Sequence, residues 1–273
     1  MKSKLRLGRY WLYIPLLAMA IFYILPMYVI LITGFKSFAE VDLKTMWVLP
    51  QGIAFDNYIE AWAKLSPSLK NSFLMVIPAT LLSSALGSLN GFVLAKWKFR
   101  GADVIFPFIL FGMFIPYQSI MIPLVQFMNK VGITGLPGLA LAHIIYGIPI
   151  TTLTFRNYYA SLPQELLEAA KIDGADMLGI YRYILLPISL PSFVVVLIWQ
   201  FTSAWNDFLF AVILTGNEQW PITVALNNMA GSQIIAWNVQ MAGSLLAALP
   251  TLLVYIFLGR YFLRGLLAGS LKG

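Results

Sequence analysis

One acidic side chain, Asp207, lies well inside a long apolar run, with Trp205 and Asn206 just before it and Gln200 seven residues back. An aspartate at mid-membrane costs on the order of 3 kcal/mol on insertion scales, so it should face the interior of a helix bundle. Carboxylate, amide and indole side chains can hydrogen-bond a polar solute and cover its apolar faces. Gln200, Trp205, Asn206 and Asp207 therefore read as a substrate path, or else as a structural hydrogen bond between helices or a position near the outer interface. A second polar concentration is Glu168-Ala169-Ala170-Lys171-Ile172-Asp173-Gly174, followed after nine residues by Ile184-Leu185-Leu186-Pro187. Catalysis finds no foothold. The chain has one histidine, His143, and no cysteine, so a metal centre lacks ligands. It also has no G-x-x-x-x-G-K-[ST] loop for nucleotide phosphates and no G-x-S-x-G or H-E-x-x-H element. No catalytic residue, metal or cofactor is assigned to this chain.

The elements that must position these residues are membrane helices. With 60% hydrophobic and 11% charged residues and a mean hydropathy of +0.80, the chain has too little polar surface to cover a soluble globule. A hydrocarbon core of about 30 Å takes about 20 helical residues. Apolar runs of suitable length occur at about 11–32, 72–95, 104–128, 139–154, 190–214 and 241–258. The net charge of +7 comes from basic residues at the span ends, with no patch interleaved with aromatics, which excludes a nucleic-acid partner. Assigned to alternate sides, the lysines and arginines divide 13 to 5. Positive residues favour the cytoplasm, which puts both termini and the Glu168 loop inside. The first run starts at interfacial Trp11 and Tyr13 and lacks a small-x-small cleavage site, so it reads as an uncleaved span. Residues 34–70 read as an external loop with a short helix through Trp62, entered at Asp56. No repeat or linker divides the chain, and residues 1–273 read as one domain. The Gly87-to-Gly91 spacing permits close helix approach, a pattern that also arises by chance in apolar helices.

The Glu168 segment, with a loop of about 161–187, reads as a capped helix. Ser161 and Gln164 fit a capping box, Glu165 and Glu168 favour the N-terminal turns, and Gly174 is a natural stop because it tolerates the left-handed conformation. A helix of about 11 residues is too short to be stable alone in water and needs a partner surface. Glu165, Glu168, Asp173 and Asp176 outnumber Lys171. That face suits a protein better than an anionic lipid surface, for which Lys and Arg are usual.

The spacing Glu-Ala-Ala, three residues, Gly, nine residues, Ile, one residue, Leu-Pro resembles the coupling-loop signature of permeases of bacterial and archaeal ABC importers. Residues 157–163 before it, Trp205-Asn206-Asp207-Phe208-Leu209 and the closing segment 259–273 are similar to carbohydrate-uptake permeases, of the type of the smaller maltose permease. The resemblance covers nearly the whole chain. It implies an all-α polytopic membrane protein with six transmembrane helices and a cytoplasmic coupling helix between the fourth and fifth. It further implies that Glu168, Ala169, Ala170, Asp173, Gly174, Ile184 and Pro187 serve coupling to an ATPase. The implied partners are a second permease subunit, a cytoplasmic ABC ATPase dimer that binds ATP and Mg, and an extracytoplasmic sugar-binding protein. The implied location is the inner (cytoplasmic) membrane.

The cargo reads as a sugar, such as the monosaccharides glucose or mannose, with a polyol, an oligosaccharide or glycerol phosphate as alternatives. A rival reading is an ion-coupled secondary transporter that uses Asp207. An intramembrane enzyme would have only His143, Asp207 and scattered serines to work with.

Overall fold

The computed structural model describes residues 11, 13–97, 99–231 and 235–270. The basic leader and the last three residues, on which the terminal assignments rest, lie outside them. The described residues are helical and contain no strand. Long helices are α1 (Tyr13–Gly34), α2 (Asp56–Lys96), α5 (Gly135–Ala160) and α10 (Trp237–Ser270); shorter ones are α3 (Ala102–Phe111), α4 (Tyr117–Val131), α6 (Glu165–Ile172), α7 (Leu190–Trp205), α8 (Leu209–Leu214) and α9 (Ile222–Ala230). Four helices are long and apolar enough to cross a membrane, or up to six spans exist if each of two bent pairs counts as one.

Two sequence expectations change in detail. The short external helix and the second span are one helix, α2, of 41 residues, about 60 Å at 1.5 Å per residue. Pro67 lies within it, and both Pro67 and Ala63, whose carbonyl loses its amide partner, are on the exposed face, where the loss is small. The third apolar run, 104–128, is not a straight span. Ala102–Phe114 and Tyr117–Val131 meet at 99°, because Pro116 drives Ile115 into extended backbone (φ −77, ψ 114).

The chain clusters into two compact units, Met1–Pro67 with Ala225–Leu249 and Ser68–Val224 with Pro250–Gly273. In the first, buried Asn57 holds the end of α1: its Nδ2 donates to the carbonyls of Gly34 (2.9 Å) and Lys36 (2.8 Å), and its Oδ1 accepts from Asn238 Nδ2 (2.8 Å). The loop after α1 is built around Glu40, whose carboxylate accepts from the amide and hydroxyl of Ser37, both at 2.8 Å, and the amide of Gln51 at 2.7 Å. Buried Lys36 donates to the Thr45 carbonyl at 2.7 Å.

In the second unit the Gly87/Gly91 spacing is a true close approach. A Cβ at Gly87 would lie 2.1 Å from Thr151 Oγ1, and one at Gly91 would lie 2.7 Å from the Arg156 amide nitrogen. Thr151 Oγ1 also lies within hydrogen-bond distance of Ser83 O at 3.0 Å, its one proton shared with Gly147 O at 2.9 Å, so α2 and α5 are in close polar contact along this face. A buried cluster of Phe92, Phe155, Tyr159, Leu167, Ile180, Tyr181 and Leu185 then joins α2 and α5 to the Glu168 loop.

Candidate functional site

The loop helix α6 is eight residues long and starts later than the sequence suggests. Ser161 makes no capping box: α5 runs on to Ala160, and Ser161 Oγ donates to Tyr158 O at 2.8 Å. Pro163 has no amide to continue α5, and Gln164 O accepts the first bonds of α6, from Leu167 (3.0 Å) and Glu168 (3.1 Å). Lys96 Nζ, at the end of α2, donates to Leu162 O at 2.8 Å and fixes the approach.

The far end of α6 is closed by a Schellman motif. Gly174 has φ +81; its amide donates to Lys171 O (3.1 Å), and the Ala175 amide donates to Ala170 O (3.0 Å). This is the paired bonding that the left-handed residue makes possible. Ala170 and Ala175 both pack on the buried cluster. Next, Asp176 Oδ1 accepts from the Gly179 amide at 2.8 Å and starts a new turn.

Burial divides the loop residues by face. Leu167 and Ala170, three residues apart, are buried in the protein's own core, and Ile184 packs against it. Glu168, Ala169, Asp173, Gly174 and Pro187 are exposed. Beside them stand exposed apolar side chains: Ile172, one of the residues the sequence offers as the apolar surface of this helix, is 85% exposed, and Tyr183 at 75% and Leu178 at 66% extend that surface beyond the helix. Ile172 lies four residues after Glu168, a spacing that shares a helix face. The surface therefore combines carboxylates with large apolar groups.

From Gly179 the backbone changes type. Ile180–Leu185 is π-helical, with the Leu186 amide donating to Tyr181 O. Then Met177–Ile188 meets Leu190–Trp205 at 75°. Pro187 and Pro191 lack amide hydrogens here. Two hydroxyls also donate to carbonyls at this bend, Tyr158 Oη to Ile188 O and Ser189 Oγ to Leu186 O.

The fifth apolar run, 190–214, also breaks. After α7 ends at Trp205, Asp207 caps α8 by accepting from the amides of Phe210 (3.4 Å) and Ala211 (3.0 Å). Its Oδ2 lies 3.4 Å from Nε2 of buried His143, and Thr223 Oγ1 donates to its carbonyl at 2.6 Å. Gln200 is buried and donates to His143 O at 3.0 Å. Trp205 is buried against the rings of Phe73 and Phe201. Asn206 is exposed, its Nδ2 donating to Thr202 O at 2.9 Å. The structure thus brings Gln200 and Asp207 together around His143, with Trp205 in a separate aromatic stack and Asn206 facing outward. No group of three or more metal-ligating side chains occurs among the described residues.

The family of binding-protein-dependent transport system inner membrane components matches residues 83–267, which include α6, its glycine turn and the broken fifth run. The chain belongs to this family. A probable ABC transporter permease protein of Pyrococcus horikoshii is 48% identical over 97% of this chain and 98% of its own length. A xylose/arabinose import permease of Haloferax volcanii is 36% identical, covering 90% and 87%. A glucose import system permease of Saccharolobus solfataricus is 32% identical, covering 96% and 95%. The crystal structure of a bacterial ABC transporter involved in import of the polysaccharide alginate includes a chain of the same fold, with TM-score 0.82 at 22% identity over 96% of this chain and 99% of that one. As a permease of this family the protein is an integral inner-membrane transport component.

Proposed function

We propose that this permease forms the translocation path of an ATP-driven sugar importer and that α6 is the element through which separate ATPase subunits drive it. The observation that carries the reading is the outward face of α6: Glu168 beside Ile172, with a Schellman turn at Gly174 and an inward face of Leu167 and Ala170 anchored in the core. Such a helix is held from behind and presents large exposed apolar side chains with carboxylates beside them, an apolar patch with a polar rim as in a protein contact. ATP-driven closure of an ATPase dimer would push α6 and rock the spans between inward-open and outward-open, a rigid-body alternating access. A second permease and an extracytoplasmic sugar-binding protein complete the assembly. The 13-to-5 division of basic residues puts the termini and α6 in the cytoplasm.

The relatives named for xylose/arabinose and glucose import support a monosaccharide as cargo. A diacetylchitobiose permease of Streptomyces coelicolor and an arabinooligosaccharide permease of Bacillus subtilis, at 32% and 29% identity, keep an oligosaccharide as the alternative. Of the four residues read as a substrate path, Asn206 is the exposed one and the one we assign to the sugar. An ion-coupled mechanism has less to stand on, since both oxygens of Asp207 serve the amides of α8.

Replacement of Gly174 tests the coupling role. A Cβ there meets nothing within 4 Å, so the strain of Gly174→Val comes from its positive φ alone, about 1 kcal/mol or more. Gly174→Val and Glu168→Lys should insert and pair with the second permease yet lose the ATPase on co-purification, or hydrolyse ATP without sugar uptake in vesicles. Gly174→Asn should be milder, because asparagine tolerates the left-handed region. Wild-type assembly and uptake in Gly174→Val and Glu168→Lys would overturn the coupling role.

A further inference from the structure

Behind α6 runs a chain of four buried hydroxyls contributed by separate parts of the fold: Tyr181 from the π-helical segment, Ser88 from α2, Tyr159 from α5 and Ser189 from the 75° bend. Tyr181 Oη lies 2.9 Å from Ser88 Oγ, which lies 2.7 Å from Tyr159 Oη, which lies 3.1 Å from Ser189 Oγ, which donates to Leu186 O at 2.9 Å. A hydroxyl has one proton to give, and the terminal carbonyl can only accept. The order of donation is therefore determined throughout, Tyr181 to Ser88 to Tyr159 to Ser189 to the backbone. Every member donates once and the chain polarises in one direction, which strengthens each bond.

The placement matters because the backbone is weakest here. The π-helical turn, Pro187 and Pro191 depart from the regular i to i−4 ladder, and the hydroxyl chain adds bonds across this joint. The aromatic parts of the same residues stack: Tyr181 on Phe92 (centroids 5.5 Å apart) and Tyr159 on Phe155 (6.0 Å). A change of the bend would pull Ser189 from Tyr159, or Tyr181 from Ser88.

We propose that the Tyr181–Ser88–Tyr159–Ser189 chain is the lock of the joint between α6 and the spans: formed at rest, it prevents movement of α6 in the absence of cargo, and its rupture accompanies the power stroke. These four are positioning residues and touch no substrate. The proposal rests on the coupling role given to α6 above.

The test uses the complete transporter, with both permeases and the ATPase dimer, in lipid vesicles without sugar or binding protein. Basal ATP hydrolysis is the readout. Removing one bond from the lock shifts the rest equilibrium by up to about tenfold, so Tyr181→Phe and Ser88→Ala should raise basal hydrolysis several-fold to about tenfold in complexes of normal composition. A purely structural hydroxyl would lower thermal stability without raising hydrolysis. If Ser88→Ala does not assemble, Tyr181→Phe and Ser189→Ala carry the test. Wild-type basal rates in the assembled variants, alongside a Gly174→Val complex that loses its ATPase or its coupling, would overturn the lock and leave the coupling role standing. If Gly174→Val is also normal, the coupling role fails as well.

Discussion

Asp207 shows what a single residue can change. Deep in an apolar run it suggests a ligand contact, yet its carboxylate sits at the start of α8 and serves two amides that would otherwise be unpaired, 3.4 Å from His143 Nε2. A buried amide left without an acceptor costs about 1–3 kcal/mol. Asp207→Leu should therefore lower the melting temperature of the purified permease clearly, whereas Asp207→Asn, which retains a carbonyl oxygen, should lower it less. Equal losses from both would show that charge, and not capping, is what the site requires. Glu40 offers a pH test at the same scale. Its carboxyl lies below its ordinary 4.5, chiefly through the Gln51 amide, then the Ser37 hydroxyl and amide. A group lowered on folding contributes stability above its unfolded pKa and loses it as the pH falls through its folded one. Protease cleavage of the 37–51 loop should speed up as the pH is taken from 6 to below 4.5. Glu40→Gln should be cleaved faster at pH 6 and show little further change.

Among elements, the α2–α5 crossing has the least tolerance. At Gly91 an added Cβ would meet backbone, the Arg156 amide nitrogen at 2.7 Å, and backbone cannot rotate away as a side chain can. Gly91→Ala should force the helices apart and cost about 1–3 kcal/mol, the usual range for overpacking. The bonds that depend on the crossing, Thr151 to Ser83 and Ser88 to Tyr159, should weaken with it. Thermal melting of Gly91→Ala, with Gly52→Ala as a control at a glycine whose Cβ meets nothing within 4 Å, measures this. A Gly91→Ala as stable as the control would mean that the contact relaxes freely.

For the whole molecule the prediction concerns orientation. The chain has no cysteine, so single thiols report cleanly. Ser161 and Gly216 are both exposed and lie at the ends of different spans. With α6 in the cytoplasm, Ser161→Cys should react only with a membrane-permeant maleimide in intact cells, and Gly216→Cys with an impermeant one. Impermeant labelling of both would reject the proposed topology.

The loop signature was readable because its chemistry is local: a glycine is required where the backbone must turn left-handed, and α6 needs carboxylates in its first turns whatever surrounds it. The apolar runs were readable for the same kind of reason, since length and hydropathy decide what lipid will accept. The breaks were not. Whether Pro67 interrupts a helix depends on which face its freed carbonyl meets, and the breaks at Pro116 and Asp207 divide apolar runs that composition alone treats as continuous. Nor could spacing show that Gly87 and Gly91 meet a neighbouring helix, or that Ser88, Tyr159, Tyr181 and Ser189, spread over about 100 residues, share one hydrogen-bonded line. The sequence by itself determined that the chain is helical, where it is apolar enough to cross a membrane and where the glycine turn of the loop falls. Only the tertiary structure decided which side chains face one another, because hydrogen bonds between distant segments depend on helix packing, which no local propensity encodes.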